Sequence, residues 1–327
     1  MNINTFRDIQ LMLADDLDTL NGRIADALHS PNVLMNRVIG NYLEKRGKQI
    51  RPILVLLCAR LIGAVNSKVI SGAVAVELLH NASLIHDDVV DDATTRRGAT
   101  TINGTWDNHL AVLVGDFFLS NALLQSVDTA DIRIVESISN LGKLLSIGEL
   151  DEIYNARYNE LDEDTYFEII FRKTASLFVS CVEVGVYGAG GTTGQLNVLR
   201  EFARLLGLCF QIKDDVFDYF SDEKIGKPTG NDIREGKITL PLIHALANTE
   251  HPRHTYMVQL AKSASPDNSQ VAELIDFAKE CGGIDYAYDV MTRLRHKAVA
   301  LLEAEFPESD ERRALTTLFD FIINREN

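Results

Sequence analysis

The sequence contains few of the residues that interrupt regular backbone structure. Only 7 prolines and 21 glycines occur among 327 residues, and no proline lies between Pro52 and Pro228. Proline interrupts helix interiors and central strands, and strands would also need frequent turn residues. Because this stretch instead shows apolar residues at spacings of three and four, it is predicted to be mostly helical. The expected fold class is therefore all-α.

The apolar spacing also locates individual helices and the breaks between them. The clearest helices are expected at residues 73–90, 110–124, 166–184 and 202–212. Thr165 and Glu168 have the spacing of a capping box at the start of one helix, and Pro241 suits the first turn of another. Glycine-rich breaks are expected at residues 98–104, 185–194 and 226–230.

Long hydrophobic runs and an excess of basic residues are both missing. No run of about 18 apolar residues occurs, and residues 1–4 lack a basic segment followed by an apolar one. A membrane-spanning helix and a signal peptide are therefore not expected. The 47 acidic residues outnumber the 32 basic ones, which gives a net charge of -15. This balance disfavours sequence-independent binding to nucleic acid.

The four cysteines form no close pair. Cys58, Cys181, Cys209 and Cys281 lie far apart among apolar neighbours, without a Cys-x-x-Cys motif. They are predicted to be buried free thiols of a cytoplasmic protein. A structural zinc site on this set is not expected, because zinc sites use closely spaced ligand pairs.

An acidic cluster, His86-Asp87-Asp88-Val89-Val90-Asp91-Asp92, follows a long apolar helix. Asp91 is four residues from Asp87 and three from Asp88, so these carboxylates share one helix face. Like charges repel at that spacing. Such a cluster is typical either of a solvated helix end or of a site for a hard divalent cation.

A second cluster, Asp214-Asp215-Val216-Phe217-Asp218, repeats the Asp-Asp-x-x-Asp pattern after another apolar helix. Two copies are hard to explain as solvated surface. Two carboxylate groups that faced each other would hold Mg²⁺ ions with open positions, which is usual where protein carboxylates and substrate phosphates bind magnesium jointly.

Basic residues flank both clusters. They are Lys48 and Arg51 before the first, Arg96 and Arg97 after it, and Lys227 and Lys237 after the second. Arginine suits bidentate phosphate contacts, and lysine supplies a flexible point charge. Such a grouping in an acidic protein indicates a polyphosphate site. His80 lies on the same helical face as Asp87, and the pattern leaves open whether it is a packing residue or contacts a ligand.

Other catalytic motifs are missing from the sequence. The glycine-rich residues 185–194 lack the Gly-Lys-Ser/Thr ending of a P-loop and follow a helical pattern rather than a strand. Neither a Gly-x-Ser-x-Gly nucleophile motif nor a His-Glu-x-x-His zinc motif occurs.

With these motifs in this order, the sequence resembles the trans-type polyprenyl diphosphate synthases, and among them the long-chain enzymes. The matching signatures are Gly47 to Pro52, Leu84 to Asp91 with Arg96-Arg97-Gly98, Lys173-Thr174, Phe210-Gln211-x-x-Asp214-Asp215-x-x-Asp218, and Gly226-Lys227-Pro228 with Asp232 and Gly236-Lys237. Gln49-Ile50 replaces the commoner Arg-Leu or Arg-Ile, which leaves the phosphate ligands in place.

The resemblance implies an all-α bundle around a central apolar cavity, with the two aspartate motifs facing each other at its mouth. It implies a single domain over residues 1–327, with catalytic motifs within 47–241 and a C-terminal helical extension over about 250–327. The charged residues 250–270 are predicted to form a peripheral loop or linker.

The implied activity is Mg²⁺-dependent condensation of isopentenyl diphosphate with an allylic diphosphate such as farnesyl diphosphate, repeated on the growing product. By position, the metal ligands would be Asp87, Asp88, Asp91, Asp214 and Asp218, supported by Asp215. Isopentenyl diphosphate would contact Lys48, Arg51, His80 and Arg97. The allylic diphosphate would contact Arg96, Lys173, Lys227 and Lys237. Lys173, Thr174, Phe210 and Gln211 would be catalytic, the last three through dipoles and a ring that stabilise an allylic cation.

Three residues on the helix before Asp87 bear on product length in this family. They are Ser83, Ala82 and Leu79, where short-chain enzymes place aromatic residues. Two are small, so a product of about six to ten isoprene units is expected, with the octaprenyl product at the centre, since one helical turn spans about one unit. A shorter-chain synthase that makes the geranylgeranyl or farnesyl product is the alternative.

Other classes fit the residues less well. A terpene cyclase would carry a second metal motif with Asn, Ser or Thr and Glu, and an inactive subunit of a heteromeric synthase would have lost motif residues. A Ca²⁺-binding structural protein would not need the basic residues. The resemblance further implies a homodimer and a quinone side-chain pathway. It implies no membrane anchor, although transient membrane contact for product release is compatible with it.

Overall fold

A computed structural model describes residues 3–44, 47–96, 98–158, 162–220, 229–263 and 265–325. The helices, in chain order, are α1 (Phe6–Met12), α2 (Ala14–Leu28), α3 (Val33–Glu44), α4 (Ile50–Ile62), α5 (Ser67–Val90), α6 (Ile102–Thr105), α7 (Asn108–Asp128), α8 (Ile132–Tyr158), α9 (Glu163–Ile170), α10 (Ser176–Ala189), α11 (Thr193–Phe217), α12 (Asn231–Arg234), α13 (Leu240–Leu246), α14 (His254–Ala261), α15 (Asn268–Glu280), α16 (Gly283–Glu305) and α17 (Asp310–Asn324). A π-helical segment, Phe171–Ala175, joins α9 to α10.

The only strands within the described residues form a short hairpin. Strands β1 (Thr95–Arg96) and β2 (Ala99–Thr100) are antiparallel, with Thr95 opposite Thr100. The rest of the regular structure in this part of the chain is helical, which confirms the predicted all-α class.

The chain divides into two compact units. The first comprises the described residues of 1–143, Leu177–Ala203 and Leu302–Leu318, and the second those of Leu144–Ser176, Arg204–Leu301 and 319–327. In the first unit α5 packs against α2, α4 and α7, and in the second α13 packs against α9, α14 and α15. The single domain and its C-terminal extension stay predictions.

Helix α5 is buried along most of its length, from Val69 to Asp88. A helix that is apolar on all faces can be accommodated only inside a protein core or a membrane. Its start is capped by Asn66, whose side chain accepts the backbone N–H of Val69 at 3.1 Å. The first aspartate motif therefore lies at the C-terminal end of a helix that is fixed in the core of its unit.

Among the described residues, two helices are long and apolar enough to cross a membrane by length and composition, although the sequence contains no unbroken run of about 18 apolar residues. In α5, 67% of the most apolar window is buried inside the protein, as in an ordinary core helix. In α7 the corresponding share is 39%, and Leu113, Leu124 and Val127 are exposed. Length and composition alone are weak grounds for a membrane span.

The predicted break at residues 185–194 is wrong in its first part, because α10 continues to Ala189. A Cβ atom added at Gly185 would lie 2.6 Å from the carbonyl oxygen of Val55, and one added at Gly188 would lie 2.7 Å from Val69 Cγ2. Both glycines therefore serve close packing of α10 on α4 and α5. The chain turns only at residues 190–192.

Two further local predictions need correction. Helix α9 is capped by Asp162, whose carboxylate accepts the backbone N–H of Thr165 at 2.9 Å, so Thr165 does not begin a capping box. Residues 250–270 contain α14, in which Met257 and Leu260 are buried, because they form an apolar face that a linker would lack. Pro241 does occupy the first turn of α13.

Candidate active site

The first carboxylate group consists of Asp87, Asp88 and Asp91 at the C-terminal end of α5, in the first unit. Asp88 is buried, Asp87 is half-buried, and Asp91 is exposed as the C-terminal cap of the helix. The group therefore passes from the core to the surface along a single helical turn. Its oxygens are hard ligands of the kind that divalent cations such as Mg²⁺ prefer.

The β1–β2 hairpin brings Arg96 to this group. Arg96 Nε donates a hydrogen bond to Asp88 Oδ1 at 2.6 Å. Asn103 fixes the return of the chain, because its Nδ2 donates to the carbonyl oxygens of Asp88 and Ala93 at 3.0 and 3.1 Å. Arg96 is thus held beside a carboxylate of the first group, and its side chain is 38% exposed and open to further ligands.

A glycine on α7 makes room for the residue that precedes the first group. A Cβ atom added at Gly115 would lie 2.3 Å from His86 Nε2. His86 Nε2 is also 3.5 Å from Asp116 Oδ1. Glycine at this position therefore lets α5 and α7 approach closely next to Asp87.

The residues predicted to bind isopentenyl diphosphate are only partly described. Lys48 is exposed, Arg51 is half-buried with its Cζ 5.9 Å from the ring centre of Phe178, and His80 is buried on α5. All three belong to the first unit. Arg97 lies outside the described residues, as does Lys227 of the allylic set.

The second carboxylate group, Asp214, Asp215 and Asp218, ends α11 in the second unit. Asp215 is buried and accepts two hydrogen bonds. Tyr166 Oη donates to its Oδ2 at 2.6 Å, and Gln211 Nε2 donates to its Oδ1 at 2.8 Å. Because each oxygen already has a donor, Asp215 is oriented toward the protein interior.

The other two members of the second group have different partners. Asp218 accepts the backbone N–H groups of Asn231 and Asp232, each at 3.0 Å, and so anchors the start of α12. Asp214 accepts a hydrogen bond from Arg325 at 2.5 Å. Arg325 also lies 4.1 Å from the ring centre of Phe210, so its guanidinium covers one face of that ring.

The π-helical segment carries Lys173 and Thr174. An extra residue in a helical turn redirects side chains, and such segments are frequent at functional sites. Gly148 on α8 permits the close approach, since an added Cβ there would lie 2.7 Å from the backbone nitrogen of Lys173. Thr174 Oγ1 donates to Gln211 Oε1 at 2.7 Å. A chain of hydrogen bonds therefore links Thr174 through Gln211 to Asp215.

Lys173 and Lys237 line one cavity of the second unit with Thr174, Gln211 and Asp215. The cavity has a volume of about 160 Å³ and is bounded by residues of α8, α9, α11 and the chain around Lys237. Lys173 Nζ lies 2.8 Å from Glu149 Oε2 and 2.6 Å from Glu152 Oε2, and Lys237 Nζ lies 3.0 Å from Glu152 Oε2. The structure therefore brings two predicted phosphate-binding lysines together beside the second motif.

Acidic groups are concentrated around this cavity. Burial raises the pKa of Asp215 to about 7, against the hydrogen bonds from Tyr166 and Gln211. Burial, together with the charges of Asp215 and Asp218, raises the pKa of Asp232 well above its usual value. A bound cation would relieve this repulsion, so the donor set fits a hard divalent metal.

Among the described residues, no three His, Cys, Asp or Glu side chains converge closely enough to hold a metal ion alone. The hydrogen bonds explain this, because the carboxylates of Asp88, Asp214 and Asp215 are directed to protein donors. Oxygen donors from a bound ligand would have to complete a coordination shell. That arrangement is common for Mg²⁺, which is often held by one or two carboxylates and substrate phosphates.

The predicted chain-length residues lie in the first unit on α5. Ala82 and Leu79 are buried, and Ser83 is half-buried. A Cβ atom added at Gly142 on α8 would lie 3.9 Å from Leu79 Cδ1. Leu79 therefore faces α8 at a position where α8 has no side chain.

Several residues of the site had no recognisable signal in the sequence. Glu149 and Glu152 resemble ordinary polar positions of an amphipathic helix, and Tyr166 resembles a core aromatic. Arg325 lies 111 residues from its partner Asp214. Asp232, by contrast, lies in one of the family's motifs and was recognisable from the sequence.

The chain is similar to known proteins along most of its length. Residues 32–278 match the family model described as polyprenyl synthetase. The octaprenyl diphosphate synthase of Haemophilus influenzae is 33% identical over 319 residues, which cover 97% of this chain and 96% of that protein. The short chain isoprenyl diphosphate synthase of Methanothermobacter thermautotrophicus is 33% identical over 307 residues, which cover 91% of this chain and 92% of that protein.

A solved structure supports the same relationship. The polyprenyl synthase from Caulobacter crescentus CB15, complexed with calcium and isoprenyl diphosphate, has a TM-score of 0.90 at 32% identity, with 99% of each chain covered. With matches of this extent in sequence and fold, the protein is a prenyltransferase of isoprenoid biosynthesis. It belongs to the polyprenyl synthetase family, which confirms the resemblance in its sequence.

Proposed function

We propose that the protein condenses isopentenyl diphosphate successively onto an allylic diphosphate, in the presence of Mg²⁺, to make a long all-trans polyprenyl diphosphate. The observation that carries the proposal is the shared cavity of Lys173, Lys237 and Asp215. Two ammonium groups beside an aspartate motif suit a ligand that is both a polyphosphate and a metal chelator. The family membership supports the same chemistry.

The two aspartate motifs would hold the metal and the basic residues the diphosphates. Asp87, Asp88, Asp91, Asp214 and Asp218 are the proposed Mg²⁺ ligands, with Asp215 in a supporting role. Mg²⁺ would supply charge stabilisation to the departing pyrophosphate. Arg96, Lys173 and Lys237 would bind the allylic diphosphate, and Lys48, Arg51 and His80 would bind isopentenyl diphosphate.

Ionisation of the allylic carbon–oxygen bond leaves a cation that must be shielded from water. The hydroxyl of Thr174 can accept as well as donate hydrogen bonds, and its hydrogen is already engaged in the bond to Gln211 Oε1. Its lone pairs can therefore point toward positive charge without offering a labile proton. After the new carbon–carbon bond forms, a proton is lost from the isopentenyl unit, and the departing pyrophosphate is the proposed acceptor.

The test is incorporation of radiolabelled isopentenyl diphosphate by the purified protein with farnesyl diphosphate and Mg²⁺. Chain-length analysis of the product follows. Condensation is expected with Mg²⁺ and none with EDTA, and Asp87→Ala and Asp214→Ala should each lower turnover by several orders of magnitude while far-UV circular dichroism stays unchanged. Full activity in EDTA would exclude the proposal.

For product length, we propose about six to ten isoprene units, with the octaprenyl product at the centre, because Ser83 and Ala82 place no large side chain one turn below Asp87. Leu79 is the first large side chain on this face of α5 further from Asp87. We propose quinone side-chain synthesis as the downstream pathway. The primer is the allylic diphosphate that the site accepts first.

One observation favours the shorter-chain alternative. Gly72 lies on the same face of α5 as Leu79, about four turns below Asp87. A Cβ atom added there would lie 2.4 Å from Val184 Cγ1 and 3.6 Å from Ile134 Cγ2. A product that followed this face would meet closely packed helices after about four isoprene units. The radiolabelled products distinguish the two lengths directly.

We also propose a homodimer located in the cytoplasm. Leu113, Leu124 and Val127 are about 60% exposed and lie on one face of α7. Exposed apolar residues grouped in this way favour contact with another protein surface, and a second copy is the proposed partner. Analytical ultracentrifugation should give twice the mass of the chain, and Leu113→Asp with Leu124→Asp should give a monomer. The four cysteines are free thiols, which supports a cytoplasmic location, although Cys281 is half-buried rather than buried as predicted.

A further inference from the structure

Two ammonium groups share a single carboxylate oxygen in the cavity of the second unit. Lys173 Nζ lies 2.6 Å and Lys237 Nζ lies 3.0 Å from the same atom, Glu152 Oε2. The side chains of the three residues are between 20% and 28% exposed. An oxygen bonded to both lysines fixes how far apart their charges can be.

This arrangement is electrostatically unfavourable without the carboxylate. Burial and the Lys237 ammonium both oppose the charge on Lys173, and the charges of Glu152 and Glu149 keep its pKa above the usual value. Burial also opposes the charge on Glu152, and the two lysines outweigh it and lower its pKa. The three groups are therefore charged together, and the two like charges are stable side by side because Glu152 lies between them.

The outer partners of the two lysines are different in kind. Lys173 also contacts Glu149 at 2.8 Å, on the same helix as Glu152. Lys237 also contacts Glu235 at 2.9 Å, and the side chain of Glu235 is 56% exposed. Within the part of the chain that the structure describes, Glu152 is the one carboxylate that contacts both lysines, so its loss should let them separate even if both outer contacts remained.

We infer that Glu152 is a positioning residue that holds Lys173 and Lys237 as a two-pronged site for the diphosphate of the allylic substrate. The inference rests on the proposed function, because that function assigns the allylic diphosphate to these lysines. A diphosphate presents several oxygens a short distance apart, so two ammonium groups at a set spacing can contact it together. Groups already in place lose less conformational freedom on binding.

Helix α8 contributes to the positioning of both lysines. Glu152 lies one turn beyond Gly148, the residue that lets α8 approach the backbone of Lys173. Helix α8 therefore packs closely on the π-helical segment through Gly148 and places the Glu152 carboxylate beside Lys173. Lys237 follows Gly236, which has a φ of 77° and whose added Cβ would lie 3.2 Å from the carbonyl oxygen of Ala156, also on α8.

The test compares Glu152→Gln and Glu152→Asp with the wild type and with a matched control, Glu168→Gln. Glu168 pairs with Arg172, also in the π-helical segment, but its side chain is 66% exposed. Steady-state kinetics give KM for farnesyl diphosphate and for isopentenyl diphosphate separately. Calorimetric titration with inorganic pyrophosphate, with and without Mg²⁺, measures binding without turnover.

In Glu152→Gln, KM for farnesyl diphosphate and the dissociation constant of pyrophosphate should each rise about tenfold, while KM for isopentenyl diphosphate changes less than about twofold. Glu152→Asp keeps the charge and should recover most of the loss. Glu168→Gln should match the wild type. Unchanged or tighter pyrophosphate binding in Glu152→Gln would overturn the inference, as would an equal rise in both KM values that Glu152→Asp does not reverse.

Failure of the proposed function would look different. A wild-type protein that binds pyrophosphate but condenses no isopentenyl diphosphate would refute the function, and the calorimetric comparison would still test the role of Glu152. If Glu152→Gln does not fold, Glu152→Asp decides the inference. A large loss of pyrophosphate binding in that folded, charge-conserving variant would contradict it.

Discussion

Arg325 pairs with Asp214, the first carboxylate of the second aspartate motif. Its Nη2 donates to Asp214 Oδ1 at 2.5 Å and to the carbonyl oxygen of Phe210 at 3.0 Å. The guanidinium also lies over the ring of Phe210. The arginine that follows α17 thus contributes a cation to the end of α11, where the metal is proposed to bind.

We expect Arg325→Gln to strengthen metal binding and to lower turnover. A guanidinium that occupies Asp214 competes with any metal for the same oxygen, so its removal should lower the dissociation constant of Mn²⁺ several-fold, as measured by electron paramagnetic resonance. Turnover should fall because Phe210 and Asp214 lose their orienting partner. Arg295→Gln, which breaks the ion pair with Asp320 instead, is the control and should leave both quantities unchanged. Equal metal affinity in wild type and Arg325→Gln would contradict the prediction.

Product length should respond to substitutions on one face of α5. Ser83→Phe and Ala82→Phe are expected to shorten the product toward farnesyl or geranylgeranyl diphosphate, because an aromatic ring would fill the space one turn below Asp87. Leu79→Ala is expected to lengthen it by at least one unit, since it removes the side chain that faces Gly142. Radiolabelled products are separated by reversed-phase thin-layer chromatography.

Leu78→Ala is the matched control for this series. Leu78 is also fully buried on α5 but points in a different direction from Leu79. It should lower stability by about 2–5 kcal/mol, as buried leucines do, without changing the product ladder. The same ladder in wild type, Leu79→Ala and Ser83→Phe would show that this face of α5 does not line the product path.

The contribution of Asp215 to the stability of the protein without added divalent cations should fall between pH 4 and pH 7. Burial raises the pKa of Asp215 to about 7, from an ordinary value near 3.8. An acid whose pKa is higher in the folded state binds a proton on folding, so its stabilising effect is complete below pH 3.8 and is lost as pH rises through 7. Asp232 and Asp218 are shifted in the same direction.

Chemical denaturation at pH 4.5, 5.5, 6.5 and 7.5 measures this slope. Asp215→Asn removes one titrating group, so its unfolding free energy should change less with pH over the same range. Glu303→Gln, an exposed substitution on α16, provides the control and should keep the wild-type slope. A dependence on pH that is the same in Asp215→Asn and in the wild type, or steeper toward low pH in Asp215→Asn, would rule out the assigned direction.

Two glycine-to-alanine substitutions should have opposite effects on stability. Gly22 lies inside α2 with nothing within 4 Å of an added Cβ, so Gly22→Ala should raise the free energy of unfolding by about 0.5–1 kcal/mol. Gly185 lies inside α10 against the carbonyl oxygen of Val55, so Gly185→Ala should lower it by about 1–3 kcal/mol. Urea denaturation measures both, and a stabilised Gly185→Ala variant would show that α10 and α4 can separate without cost.

Helix positions were predictable where the signal is local. The apolar spacing placed α5, α7 and α11 correctly, although each is longer than predicted, because residues at helix ends have weak apolar periodicity. The break at Gly185 was predicted wrongly, since glycine favours turns locally and here allows two helices to touch. The aspartate motifs were recognisable because three carboxylates within five residues form a pattern along the chain.

By itself, the sequence determined the all-α class, the two aspartate motifs and the family, because each of these depends on residues that are close in the chain or on motifs in a fixed order. The tertiary structure alone decided which partner each charged group has. Tyr166 is 49 residues from Asp215, and Arg325 is 111 residues from Asp214. Glu152 meets Lys173 and Lys237 only after α8, the π-helical segment and the chain before α13 have packed together. The physical reason is that burial and electrostatic pairing depend on distance in space, which helix packing sets and no local pattern records.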